Sequence, residues 1–338
     1  MMKNNNASKF DPWQLQAEDF PFGGSPEEKL KFLVRYALLA PSSHNTQPWN
    51  FRLGQDEISL FIDPNRWLKV ADADRRELYI SAGCALENLL IAAEHYGYGH
   101  QVHYCPEPGN DNLAAVIKLT PRQGRRSPFR EPGQFMAITE RHTNHKIYKE
   151  RPISQADLEF LQYGCNQDGV WLFITADAAL KRRVDELIIR GDALLFANPA
   201  WREELGYWMG QGVFGASWLM SKMTQLAVTY VNLGQGVAKK DSELLMSAPA
   251  LALLASEKDD RPSQIRAGQI FERVCLRAQG LGIRVQPMSQ ILEVPELKQE
   301  LAGLIPVQEL IPQHAFRLGY AEPEPEHTPR RPLEELLV

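Results

Sequence analysis

Two stretches of this chain repeat one another at the distance of a whole domain. Gly83-Cys84-Ala85-Leu86-Glu87 and Gly268-Gln269-Ile270-Phe271-Glu272 stand about 185 residues apart. From there both copies run through an apolar helical pattern to Ala93 or Ala278, then stop at Gly97 or Gly282. A strand-like run follows each, at 115–119 and 314–318. So long a period marks a duplicated domain rather than a solenoid repeat. The 338 residues are enough for one large core or two smaller ones.

A second feature concentrates polar chemistry. Ala40-Pro41-Ser42-Ser43-His44-Asn45-Thr46-Gln47-Pro48-Trp49 joins an apolar helical run to alternating residues that read as a strand. Pro41 ends the helix, because its ring disfavours helical geometry in the preceding residue. Ser42, Ser43 and Asn45 then offer donors and acceptors over a short arc, and Trp49 anchors the return to the core. Such a loop suits a flat heteroaromatic ligand with hydrogen-bonding groups along one edge.

The pattern A-P-S-x-x-N-x-Q-P-W at a helix-to-strand junction resembles the isoalloxazine-contacting loop of the nitroreductase family, FMN-dependent oxidoreductases. Members of that family are usually homodimers with flavin sites built across the interface. A chain with two degenerate copies resembles such a dimer fused into one polypeptide, as in the internally duplicated Acg-like branch. The resemblance implies an α+β nitroreductase-like pseudo-dimer with a helical lid insertion. Its expected parts are an N-terminal arm (1–24), a first half (25–120), a linker (121–133) and a second half (134–338) carrying the lid (198–245).

FMN needs cations for its phosphate, and Arg suits this through its forked donors. The family supplies an R-x-[ST]-x-R motif and basic residues near the C-terminus. Arg141-His142-Thr143-Asn144-His145 matches the first, with His145 where a second Arg is usual, and Thr328-Pro329-Arg330-Arg331-Pro332 matches the other. Both lie in the second half, whereas the ring-binding loop lies in the first. The resemblance therefore implies one site, with Pro41, Ser42, Ser43, Asn45 and Gln47 facing Arg141, Thr143, His145, Arg330 and Arg331. Gln286, Met288 and Ser289 are expected along the edge of the ring. The mirror site is expected to be missing, because Gly164-Cys165-Asn166-Gln167-Asp168-Gly169 stands where its ring loop should be. The expected lid residues are Trp201, Trp208, Phe214, Trp218, Met220 and Met223, with an ordinary helical subdomain as the plainer alternative.

Composition narrows the remaining options. A formal charge of −5 gives no general reason to expect nucleic acid or an anionic membrane as partner. No apolar run approaches the roughly 18–20 residues of a membrane span, and residues 1–20 lack a signal-peptide core, so a cytoplasmic location is expected. Four scattered cysteines form no C-x-x-C, and no metal set is expected. The charge run 72–77 reads as a solvated helix start. The expected activity is hydride transfer from NAD(P)H through FMN to an electron-poor acceptor, a nitroaromatic or quinone, with the flavin carrying the chemistry. The alternatives are a flavin-sequestering protein and a regulatory protein with little turnover. The assembly is expected to be a monomer or weak homodimer.

Overall fold

The computed structural model describes residues 11–121, 130–324 and 326–338. The first ten residues of the expected arm and most of the expected linker lie outside the described residues. The first copy comprises α1 (Pro26–Ala37), β1 (Trp49–Leu53), β2 (Glu57–Ile62), α2 (Arg76–His95), β3 (Tyr98–Tyr104) and β4 (Leu113–Pro121). Next come α3 (Pro132–Ala137), α4 (Gln155–Gln162), β5 (Val170–Thr175) and α5 (Ala178–Ala197). Three further helices, α6 (Pro199–Gly210), α7 (Trp218–Tyr230) and α8 (Gly234–Ser247), lead to β6 (Ala250–Ser256) and α9 (Arg261–Gly280). The chain then forms β7 (Arg284–Pro287), α10 (Pro295–Ala302) and β8 (Ile311–Gly319).

The described strands make two four-stranded antiparallel sheets, ordered β1-β2-β4-β3 and β5-β6-β8-β7. The order is the same in both, and the long helix α2 or α9 falls between the second and third strands each time. This is the duplication expected from the repeat. A short hairpin joins β1 to β2, whereas α5 to α8 interrupt β5 and β6. The insertion therefore starts earlier than residue 198.

Helices α2 and α9 cross at the centre, where Gly83 and Gly268 meet. A Cβ on Gly83 would lie 2.0 Å from the Ile265 carbonyl oxygen, and one on Gly268 would lie 2.0 Å from that of Ile80. Only glycine permits the two backbones to approach so closely. The contact is reciprocal, as at the two-fold axis of a dimer. Leu86, Leu89 and Ala93 of α2 share one core with Ile270, Val274 and Ala278 of α9.

The charge run before α2 departs from its expected solvated state. Asp72, Arg76 and Glu77 are buried. Asp72 accepts from the backbone N–H groups of Glu77 (2.8 Å) and Leu78 (2.9 Å), so it serves as the cap of α2. Arg76 pairs with Glu77 at 2.6 Å and donates to the Gln313 carbonyl. Ala73 and Asp74 stay exposed, and the buried part of this helix start is covered by the second half, which supplies the Gln313 carbonyl. Strand β7 and helix α10 had no clear sequence signal; β7 has only four residues, too few for an alternation to stand out.

Candidate functional site

The Ser42–Gln47 loop is held in an unusual backbone shape. His44, Asn45 and Gln47 have φ of 48°, 51° and 50°, a left-handed region that non-glycine residues seldom adopt. Ser42 Oγ accepts from the Gln47 N–H at 2.9 Å, and a single 3₁₀ turn covers Ser43–Asn45. Trp49, fully buried, then enters β1.

The C-terminal tail returns from the second sheet to this loop. Phe51 N–H donates to the Leu336 carbonyl (2.7 Å) and Val338 N–H to the Phe51 carbonyl (2.9 Å), pairing the tail with the edge strand β1. Residues 328–331 thereby run beside the loop. Arg330 Nη1 donates to Asn45 Oδ1 at 3.0 Å, and Asn45 Nδ2 donates to the Pro329 carbonyl at 3.0 Å. Gln47 Oε1 accepts from the Arg331 N–H at 2.7 Å. The guanidinium of Arg331 meets Asp63 (3.7 Å) and Glu335 and donates to the Gln47 carbonyl of the loop at 3.2 Å.

The R-H-T-N-H segment reaches the same place by lying along β7, where Thr143 bridges to Val285 and Asn144 N–H donates to the Val285 carbonyl at 3.1 Å. Arg141 Nη2 (3.4 Å) and Arg330 Nη2 (3.1 Å) both point to the Leu39 carbonyl, past the end of α1. A free carbonyl at the negative end of a helix is a natural acceptor for cations. The two arginines are 5% and 3% exposed, so their charges converge in a dry region. Burial and the neighbouring Arg141 charge push Arg330 down to about 9. Among the described residues, Nε of each arginine has no acceptor. The nearby carboxylate is Glu272, which was not foreseen; it lies 3.5 Å from Arg141 Nε. Its position was visible in the repeat, but burial of an acid is not readable from a helical pattern.

Aromatic groups cover this cluster. Trp13 stacks on His327 (3.8 Å) and His327 on His142 (3.9 Å), while the Arg330 guanidinium sits 4.6 Å from the Trp13 ring centroid. Trp13 Nε1 donates to the Thr328 carbonyl at 2.8 Å. The arm is thus part of the site's wall, a role no motif announced.

Further along, His145 Nδ1 and Gln286 Nε2 are 3.0 Å apart, and Arg317 Nε donates to Gln286 Oε1 at 2.7 Å. Burial lowers the His145 imidazole from its ordinary value and so favours its neutral form. Met288 is 1% exposed with its side chain in the second core, and its N–H donates to the Ala315 carbonyl at 2.8 Å, which leaves only its own backbone carbonyl for a ligand. Ser289 Oγ lies 2.8 Å from His314 Nδ1, and Ser43 Oγ donates to Glu77 Oε2 at 2.8 Å. Glu77 Oε1 is 3.6 Å from the same His314 nitrogen, so a polar chain links the two halves. Serine and carboxylate share one ring nitrogen, which is not the arrangement of a hydrolytic triad. Pro41 lies partly buried at the mouth of the loop.

The inserted helices have a small core of their own, in which Trp201 and Trp208 pack with Leu68, Leu195, Leu205 and Val228. Met220 and Met223 are more than half exposed on the outer face of α7, contrary to the expectation that they cover the site. The Trp218 side chain lies outside the described residues. What reaches the site is backbone: the Val213 carbonyl accepts from Asn45 Nδ2 at 2.6 Å. At the mirror position Arg130 and Arg273 both bind Glu87 and Arg273 also binds the Gly164 carbonyl at 2.9 Å; with Gln167 and Asp168 they line a cavity of about 260 Å³.

Among the described residues no cluster of His, Cys, Asp and Glu could hold a metal ion, and no helix is long and apolar enough to cross a membrane. No protein-family profile matches the chain. Full-length relatives do. "Putative NAD(P)H nitroreductase Rv3131" of Mycobacterium tuberculosis is 27% identical over 331 residues, covering 92% of this chain and 91% of that one. "Putative NAD(P)H nitroreductase acg" of the same organism is 27% identical over 320 residues, covering 91% and 94%. "Probable NAD(P)H nitroreductase PigM" of Serratia is 25% identical over 340 residues, covering 92% and 94%. Over nearly its whole length the chain is thus similar to proteins named as nitroreductases, acg among them.

Proposed function

We propose that this chain is an FMN-dependent, nitroreductase-like oxidoreductase with one flavin site, taking hydride from NAD(P)H and reducing an electron-poor acceptor such as a nitroaromatic or a quinone. The observation that carries the reading is the convergence of Arg141 and Arg330 on the loop of the other half, with an Nε of each left without an acceptor. Buried cations in excess of their counter-ions fit an anionic group such as the flavin phosphate. The names of the full-length relatives favour the same chemistry.

When bound, the flavin supplies the hydride chemistry, and the protein supplies orientation, electrostatics and access. Arg141 and Arg330, with Thr143 beside them, would hold the phosphate. Pro41, Ser42, Ser43, Asn45 and Gln47 would fix the ring from the first half. His145, Gln286 and Ser289 would face it from the second, with Met288 contributing backbone alone. Arg331 holds the tail on the loop through its backbone N–H. The halves at 25–120 and 134–338 thus each give one side of a single site.

Purified, flavin-loaded protein should absorb near about 370 and 450 nm, and anaerobic NADH or NADPH should bleach the longer band within seconds to minutes. A loaded protein that either nucleotide leaves yellow would favour a second reading, flavin sequestration. That reading draws on the 2.6 Å clasp between Asn45 and Val213, which keeps the inserted segment against the loop. A protein that takes up no flavin contradicts both.

A further inference from the structure

The two central helices carry a glutamate at the same place, and the two are treated differently. Glu87 of α2 and Glu272 of α9 are both fully buried. Glu87 accepts from Arg130 Nε (3.1 Å) and Nη2 (2.9 Å), from Arg273 Nε (2.9 Å) and from Gln269 Nε2 (3.1 Å). Burial alone would raise its carboxyl, but the two guanidiniums outweigh burial and hold it down at about 2. Glu272 has one guanidinium at 3.5 Å, and among the described residues neither of its oxygens has a hydrogen-bond partner of ordinary geometry. The fold can satisfy a carboxylate at this position, since it does so in the other copy. At Glu272 it does not.

The groups around Glu272 are few. Helix α2 presents Cys84, Glu87 and Asn88; Cys275 comes from its own helix; Arg141 and Arg330 face it from the two basic segments. Burial pushes Glu272 up to about 7, while Arg141, Asn88 and Arg330 pull it down. Two buried cations therefore share one weakly held carboxylate. Adding a phosphate dianion would over-neutralise the cluster unless one negative charge left it, and a carboxylate can lose its charge by taking a proton from solvent.

We infer that Glu272 is an exchangeable counter-ion of the Arg141–Arg330 anion site, ionised when no ligand is bound and protonated when a phosphate monoester occupies the site. This inference rests on the flavin reading for the identity of the phosphate. The balance is simple: the dianion enters, one proton passes from water to the Glu272 carboxylate, and no other bond is made or broken. The sign follows from the direction of the shift. A nearby dianion raises Glu272 further, so above about pH 7 binding takes up a proton and affinity falls as pH rises, by up to about tenfold per unit for one proton. The phosphate's own second ionisation, near about pH 6, is complete at pH 8 and contributes nothing there.

The test is calorimetric titration of flavin-stripped protein with FMN at pH 8, in two buffers of different ionisation enthalpy. The expected result is uptake of about one proton per FMN bound, and none with riboflavin, which lacks the phosphate. In Glu272→Gln the uptake disappears and FMN affinity becomes flat between about pH 7 and 8.5. A second measurement uses the unaltered protein, in case the variant does not fold. The infrared difference spectrum on FMN binding should gain a protonated-carboxyl band that shifts when glutamate is isotope-labelled. FMN binding without proton uptake, or without that band, overturns the inference while leaving the flavin reading intact. Failure to bind FMN at all overturns both.

Discussion

Arg330 is the most demanding residue of the site, because its guanidinium bonds to its own turn and to two separate stretches of the first half at once. It binds Asn45 from the first half, Thr328 from its own turn and the Leu39 carbonyl past the end of α1. Among the described residues Arg141 makes one hydrogen bond, of 3.4 Å to the same carbonyl, beside its 3.5 Å approach to Glu272, so its removal breaks fewer contacts. The expected outcome of Arg141→Ala is a folded protein whose FMN affinity drops about 10- to 100-fold, the worth of one charge-assisted hydrogen bond. Riboflavin affinity should change far less; equal losses for the two ligands, measured by quenching of flavin fluorescence, would remove Arg141 from the phosphate. Much of this residue scale was legible in the sequence. The loop Pro41–Gln47 and both basic segments carried specific patterns, and the structure brings them together. Glu272, Trp13 and His314 were not legible, since they are defined by what they pack against and not by a local signature.

At the scale of elements, the crossing of α2 and α9 governs how the halves meet. Gly83 and Gly268 allow each helix to touch the other's carbonyl oxygens. Gly83→Ala or Gly268→Ala forces the helices apart, and each should cost about 1–3 kcal/mol or more of stability, by similar amounts because the contacts are reciprocal. Gly280, at the end of α9, has open space for 4 Å around the point where a Cβ would stand, so Gly280→Ala should be neutral or stabilising by up to about 1 kcal/mol. Denaturant unfolding of the three variants reads this directly; a harmless Gly83→Ala would contradict the close crossing. The repeat of the two glycines was visible in the sequence. Their contact was not, because periodicity shows that a helix has a face but not which helix meets it. The charge run at 72–77 misled for the same reason: its burial comes from the second half.

Across the whole molecule, duplication supplies two equivalent positions and the chain uses them unequally. One holds Arg141 and Arg330 around a poorly paired Glu272; the other pairs Arg130 and Arg273 with Glu87. The tail that pairs with β1 carries the second half's basic residues to the first half's loop, which ties the site to the fused state of the chain. The sequence already pointed to one site, because only one ring loop and one R-x-T-x-H segment occur. It did not reveal that the mirror carboxylate, Glu87, is paired by Arg130 and Arg273, since these belong to no motif. The most direct measurement is the amount of FMN bound per chain at saturation, from released flavin against protein concentration. The single, cross-half site predicts one; two per chain would show that the mirror position also binds, and none would contradict the site as described.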